Sequence, residues 1–210
     1  MGKLNLITNC VVNENEVFKD PKRTQIKKII GVGNFTENKN ILTLIKSVSK
    51  IQYFAKANDV QFNWYGDPSN YPHVFDNARA LINENDINDI FFLNPPVSNI
   101  FDKYCENDAL ILCSLSEATP NVLCEAMVCG LPVLASNVGD IPNILNNKNE
   151  LMFDPRSIDE IADKLLDFIK LTPFQVKKMS TNNIKIANSL FSLESFTVKW
   201  IDLIEGNTRC

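Results

Sequence analysis

The sequence predicts an α/β domain built on a doubly wound, mostly parallel sheet, and three observations point there. Short and nearly uninterrupted apolar runs recur between about residues 29 and 153, as strands do when both faces of a sheet are covered. The segments between them return an apolar residue every three or four positions, the period of an amphipathic helix. The two kinds of segment alternate, which is the rhythm of parallel βαβ units. At 210 residues, 45% apolar and 22% charged, the chain is long enough to bury a core and is read as one domain over residues 1–210.

Taken in order, Ile29 to Val32 forms the first strand, and a helix follows from about Asn38 to Lys56, with Ile41, Leu44, Ile45, Val48 and Ile51 on one face. Val60 to Gly66 is the second strand, followed by a helix from Tyr71 to Asn83, a strand at Ile90 to Leu93 and a helix near Ser98 to Glu106. Ala109 to Cys113 is a strand, and Pro120 to Cys129 is a helix that Gly130 and Pro132 stop. Leu131 to Ser136, a helical turn near Pro142 and a strand at Glu150 to Phe153 complete the sheet. The C-terminal segment, 157–210, changes character: Ser157 to Lys170, Pro173 to Ser189 and Leu193 to Glu205 read as three helices with no strands between them. Pro173 fits a first helical position.

Composition excludes several classes. With 25 acidic and 21 basic residues the net charge is −4, which argues against coating nucleic acid or an anionic membrane. No stretch approaches the roughly 18 consecutive apolar residues of a membrane span, and MGKLNLITNC lacks the apolar core of a signal peptide, so a cytoplasmic location is expected. Cys10, Cys105, Cys113, Cys124, Cys129 and Cys210 show no CxxC spacing and read as reduced, small hydrophobes. No His/Cys cluster has metal-ligand spacing, no serine sits in a G-x-S-x-G context, and the single histidine, His73, follows a proline in a loop. Neither a metal nor a cofactor is expected.

Open α/β sheets bind ligands outside the carboxyl ends of their strands. The densest constraints at such a place run from Ile111 to Ser136. Glu117 lies in the loop ahead of a helix for which Thr119 is the expected N-cap and Pro120 the first-turn proline, and Glu125 lies about a turn and a half inside that helix. The free amides of Asn121 and Val122 would face the same mouth, which suits a phosphate. A carboxylate can accept two hydrogen bonds from vicinal sugar hydroxyls, so Glu117 and Glu125 could grip sugar and ribose on either side of a diphosphate. The plainer reading is that Glu117 caps the helix and Glu125 is a solvated surface residue. Glycoside hydrolysis by paired carboxylates also stands, although hydrolases need no phosphate cradle.

After the first strand comes GVGNFTENKN. Its glycine pair resembles a dinucleotide fingerprint but lacks the third glycine, whose place Thr36 takes. Thr36 as a helix cap would put Lys39 in the first turn, where the dipole disfavours a cation unless an anionic ligand is present. Gly66, Asp67 and Pro68 end the second strand with a turn that could also leave room for a ligand.

Together these segments resemble the C-terminal, donor-binding domain of family 4 retaining glycosyltransferases, over about Leu6 to Ile204. LITNCVV is similar to the interdomain lead-in of that family, here residues 1–25, GVGNFTENKN to its VGRLxxxKN loop, and NWYGD to its second strand and turn. SLSEATPNVLCEAMVCGLPVLAS is similar to its diagnostic stretch, roughly SxxEGxPxxxLEAMACGxPVxAS. The resemblance implies a Rossmann-like domain, one half of the GT-B architecture, acting in glycan biosynthesis. It implies that Lys39 contacts the donor diphosphate, that Glu117 lies near the donor sugar and Glu125 at the ribose, and that Gly33 opens the phosphate-facing loop. Pro120, Asn121 and Val122 would receive sugar and phosphates, and Asn9 would lie at the domain junction. The donor would be a UDP-, GDP- or ADP-linked sugar, with the leaving phosphate taking the acceptor proton.

The sequence departs from that pattern at three places. Asn34 stands where a phosphate-binding arginine is usual and cannot supply a guanidinium fork, although it remains in the loop expected to face the donor. Ala118 replaces a glycine, Gly139 is followed by Asp140 and Ile141 where a second glycine is common, and Asn143 stands near the usual glutamate of the PE pair. The family's acceptor-binding N-terminal domain does not fit before Leu6, so it is expected either elsewhere in a longer protein or as a separate chain, where it could also bring peripheral membrane contact. The chain alone is expected to bind donor and transfer sugar poorly. Two alternatives stay open: a degenerate, noncatalytic domain that binds a partner protein or a sugar nucleotide, and a dinucleotide-dependent oxidoreductase.

Overall fold

The computed structural model describes residues 24–146 and 152–191, together with Thr197 and Ile201. The lead-in segment with Asn9 and the expected helix at Leu193 to Glu205 lie outside the described residues, apart from these last positions.

Six parallel strands form one sheet in the order β3-β2-β1-β4-β5-β6. They are β1 Lys28–Val32, β2 Gln61–Tyr65, β3 Phe91–Asn94, β4 Ala109–Leu112, β5 Val133–Ser136 and the two-residue β6 Met152–Phe153. The register places Gly31 beside Trp64, Ile29 beside Ala109, and Leu112 beside Ala135. The chain winds outward from β1 through β2 to β3, then returns to lay β4 against the other side of β1. The topological switch point, where such sheets bind ligands, therefore lies between the carboxyl ends of β1 and β4.

Side-chain alternation along the strands feeds two cores. On one face Ile29, Phe62, Trp64, Ile111 and Leu134 meet α1 (Ile41–Lys50), α3 (Pro72–Glu84) and α7 (Ile158–Ile169). On the other, Ile30, Leu110, Leu112, Val133 and Ala135 meet α4 (Ile100–Glu106), α5 (Asn121–Val128) and α8 (Pro173–Phe191). Both faces of β4 and β5 are buried, which is why those strands are apolar at every position. The loop end of α5 is held from α8: Ser180 Oγ donates to the Gly130 carbonyl, and Asn183 Nδ2 to the Leu131 carbonyl at 2.7 Å. The short α6 (Ile141–Ile144) fills the turn expected near Pro142.

Two local expectations are corrected. The long helix expected from Asn38 to Lys56 is two helices, α1 and α2 (Gln52–Ala57), because the chain bends at Ile51, whose side chain turns into the core. Pro120 is the N-cap of α5, not its first helical residue, and Thr119 lies one place further out. No helix among the described residues is long and apolar enough to cross a membrane.

Candidate functional site

The loops after β1 and β4 are sewn together across the switch point. The Leu115 amide donates to the Asn38 carbonyl at 2.8 Å, and Asn38 Nδ2 donates to the Ser116 carbonyl at 2.9 Å. One residue further along each loop, Lys39 Nζ meets Glu117 Oε1 at 2.7 Å. The two side chains are 23% and 12% exposed, so the pair lies in the mouth of the site and not on open surface.

The environment of Lys39 differs from the expected first turn of a long helix. Thr36 Oγ1 accepts from the Lys39 amide, but it caps a three-residue 3₁₀ turn, Glu37–Lys39, which ends in left-handed Asn40 (φ 58°) before α1 begins. Lys39 is thus at the end of a short turn, where a cation is favourable, and Glu117 supplies the anion that the sequence had required of a ligand. Asn40 also spans the loops: its Nδ2 donates to the Pro155 carbonyl at 2.7 Å, and its Oδ1 accepts from Thr43 at 2.6 Å.

The glycine loop is built from below. Trp64 packs on Gly31, where a Cβ would lie 2.5 Å from the indole ring, and its Nε1 donates to the Gly33 carbonyl at 2.8 Å. The Gly33 amide donates to the Tyr65 carbonyl at 2.9 Å, and a Cβ on Gly33 would sit 3.1 Å from the Lys39 side chain. Gly66 must also be glycine, since a Cβ there would lie 2.1 Å from the Gly33 oxygen. Asn34 is exposed and faces the β2 loop: its Oδ1 accepts from the Asp67 amide at 3.3 Å. Ser69 donates to the Asp67 carboxylate through both its amide and its hydroxyl, and these bonds hold the Asp67 pKa below the usual value.

At the β4 side, Glu117 is not the helix cap: α5 has no side-chain cap, and the carboxylate is committed to Lys39. The Leu123 and Cys124 amides both reach the Pro120 carbonyl, which leaves the Asn121 and Val122 amides without an intrahelical acceptor. Glu125 is not a solvated surface residue either. It is half-buried, and Tyr104 Oη donates to its Oε2 at 2.9 Å. Gly139 supports Glu117 from behind, in the left-handed region (φ 54°), with a hypothetical Cβ only 1.7 Å from the Glu117 carbonyl oxygen. His73 is exposed on α3, and no group of His, Cys, Asp and Glu among the described residues could hold a metal.

The structure therefore joins Lys39 to Glu117, sets Gly33 beside Lys39, and places Asn121, Val122 and Glu125 on one helix. It turns Asn34 toward Asp67. Tyr104, Asn38 and Asn40 complete the architecture without having been selected from sequence, and Gly139, noted there only as a family-pattern glycine, proves to back Glu117. Asparagine just ahead of a helix is a usable signal, as is a lone phenol beside the apolar Ile100 and Phe101, whereas the contact of Gly139 with Glu117 carries no signal until β5 and β4 are known to adjoin.

A family model described as "Glycosyl transferases group 1" matches residues 26–170. The chain belongs to the group 1 glycosyl transferases. Over 167 residues it is 26% identical to the phosphatidylinositol N-acetylglucosaminyltransferase GPI3 subunit of Saccharomyces cerevisiae, covering 76% of this chain and 36% of that relative. It is also 26% identical over 201 residues to the poly(ribitol-phosphate) alpha-N-acetylglucosaminyltransferase of Staphylococcus aureus, covering 93% of this chain and 39% of the relative. This group 1 chain thus spans well under half the length of either. Among solved structures, Anabaena HepE in complex with UDP superposes with a TM-score of 0.76 at 17% identity, covering 87% of this chain and 49% of HepE. The fold is the Rossmann-like α/β fold of GT-B glycosyltransferases.

Proposed function

We propose that this chain is the donor-binding part of a retaining family 4 glycosyltransferase, which moves a sugar from a nucleoside diphosphate to an acceptor hydroxyl and needs an acceptor-binding domain to do so efficiently. The observation that carries the reading is the meeting of Lys39 and Glu117 across the switch point, ahead of the open end of α5, the helix that holds Glu125. A cation and two helix-terminal amides without an intrahelical acceptor suit a diphosphate, and a carboxylate on each side suits the hydroxyls of sugar and ribose.

In this reading Lys39 leaves Glu117 for the diphosphate when donor binds, and the freed Glu117 turns to the sugar. Gly33 gives the phosphates close access to the loop backbone, with Asn34 at its rim, while Pro120, Asn121 and Val122 form the wall that receives them. The bond from the anomeric carbon to the diphosphate oxygen breaks as the acceptor oxygen bonds to the same face. Lys39 and the amides stabilise charge gathering on the leaving group, which takes the acceptor proton. The opposite wall, which orients the acceptor and excludes water, belongs to the acceptor domain. HepE binds UDP, and both curated relatives are named for N-acetylglucosaminyl transfer, so UDP and UDP-N-acetylglucosamine are the first ligands to test.

Calorimetry with UDP, GDP, ADP and NAD, on wild type and Glu125→Ala, tests the proposal. Selective binding of one diphosphate, weakened about tenfold or more in Glu125→Ala, is expected; binding of NAD alone by the folded chain would refute it. A second reading, a noncatalytic binder of sugar nucleotide or partner protein, is favoured by the neutral Asn34 held by Asp67 and by Ala118. It predicts binding without transfer even when an acceptor domain is supplied.

A further inference from the structure

Tyr104 is fully buried, its ring packed in the cluster of Ile30, Leu110, Leu123 and Met127, with Phe101 edge-on at 6.0 Å and 87°. Phenylalanine would fill the same space. What the tyrosine adds is one hydroxyl, and that hydroxyl donates to Glu125 Oε2 at 2.9 Å. A phenol inside hydrocarbon requires a partner, and a ring locked by packing offers its hydrogen bond from a fixed point. Glu125 is the opposite case, a half-buried side chain with three rotatable bonds on α5. The bond from α4 to α5 restrains that freedom at one carboxylate oxygen, Oε2.

We propose that Tyr104 is a positioning residue: it sets the Glu125 carboxylate in the orientation that receives the two ribose hydroxyls of the donor nucleotide. The proposal rests on the ribose role given to Glu125 above. Tyr104 is buried beneath the site and acts through Glu125. A preset carboxylate avoids the ordering cost that a mobile glutamate would meet on binding. Discrimination for ribose hydroxyls thus depends on a residue in the core.

The test compares UDP with 2′,3′-dideoxy-UDP, measured by calorimetry on the full chain as wild type, Tyr104→Phe, Glu125→Ala and the double variant. Wild type should prefer UDP by about tenfold or more, the preference expected of charge-assisted bonds to the diol. Tyr104→Phe should weaken UDP by about two- to tenfold, the range of one lost hydrogen bond, while leaving dideoxy-UDP nearly unchanged. In the Glu125→Ala background the same change should add nothing. Equal weakening of both nucleotides by Tyr104→Phe, as a general packing defect would give, overturns the proposal, and so does an unchanged ratio. If Glu125→Ala itself leaves the ratio intact, the ribose role of Glu125 falls and the proposal with it. If Glu125→Ala collapses the ratio and Tyr104→Phe does not, only the positioning role falls.

Discussion

Lys39 Nζ lies 2.7 Å from Glu117 Oε1, although the two residues are 78 positions apart, and the contact exists because β1 and β4 are neighbours. The pair fills the place where the proposed diphosphate would lie, so ligand and glutamate compete for one cation. Lys39→Met should weaken UDP by about tenfold or more, since it removes a charge-assisted contact. Glu117→Gln should instead strengthen UDP binding, by about threefold, because a neutral amide competes less well for the ammonium. Stability should move by under about 1 kcal/mol in both, as the pair is partly solvated. Calorimetry decides: Glu117→Gln weakening UDP as much as Lys39→Met would show that the glutamate is not a competitor.

Gly139 carries the second prediction. Its φ of 54° and the 1.7 Å approach of a hypothetical Cβ to the Glu117 carbonyl leave no room for alanine. Gly139→Ala must push the β4 loop away or rebuild the turn before α6, at a cost of about 2–4 kcal/mol. Urea unfolding should show that loss, and UDP-N-acetylglucosamine should lose more affinity than UDP because the shift is centred on Glu117. An unchanged midpoint would mean that the loop yields without cost.

The strands were legible because burial on both faces made them continuous apolar runs: Ala109 to Leu112 and Val133 to Ser136 leave little else to assign. Their carboxyl ends then located the loops that hold Lys39 and Glu117. The pairing of those two side chains was not legible, since no local rule relates positions 39 and 117 until the strand order is known. The same limit hid the packing of Gly139 on the Glu117 carbonyl, although the glycine itself matched the family pattern. Local alternatives defeated two finer expectations: Thr36 caps a 3₁₀ turn because Asn40 breaks to the left-handed region, and the helix after it bends at Ile51.

Trp64 supports the third prediction. Its indole covers Gly31, and its Nε1 donates to the Gly33 carbonyl, so one buried side chain shapes the β1 loop from two directions. Trp64→Phe leaves that carbonyl unpaired and opens a void, for a loss of about 2–3 kcal/mol. Urea unfolding followed by circular dichroism should show that loss, with weaker UDP binding as the Gly33 loop relaxes. Full affinity in the variant would show that the loop is held by Gly66 and Tyr65 alone.

Cys113 gives a pH prediction. Burial pushes its thiol from 9.0 to about 12, and the contact from Asn40 Nδ2 at 3.7 Å opposes that only in part. A folded pKa above the unfolded one means that the unfolded chain releases its proton first. The stabilisation is complete below about pH 9 and is lost as pH rises toward 12, at about 1.4 kcal/mol per pH unit. Cys113→Ala lacks this titration. It should be less stable than wild type by about 1 kcal/mol near neutrality, from the lost packing of a small side chain. Between pH 9 and about 10.5 the gap should narrow by about 2 kcal/mol and reverse, when both proteins are unfolded in urea under reducing conditions. Parallel stability profiles across that range would show that the Cys113 thiol titrates alike in both states and that its site admits the thiolate.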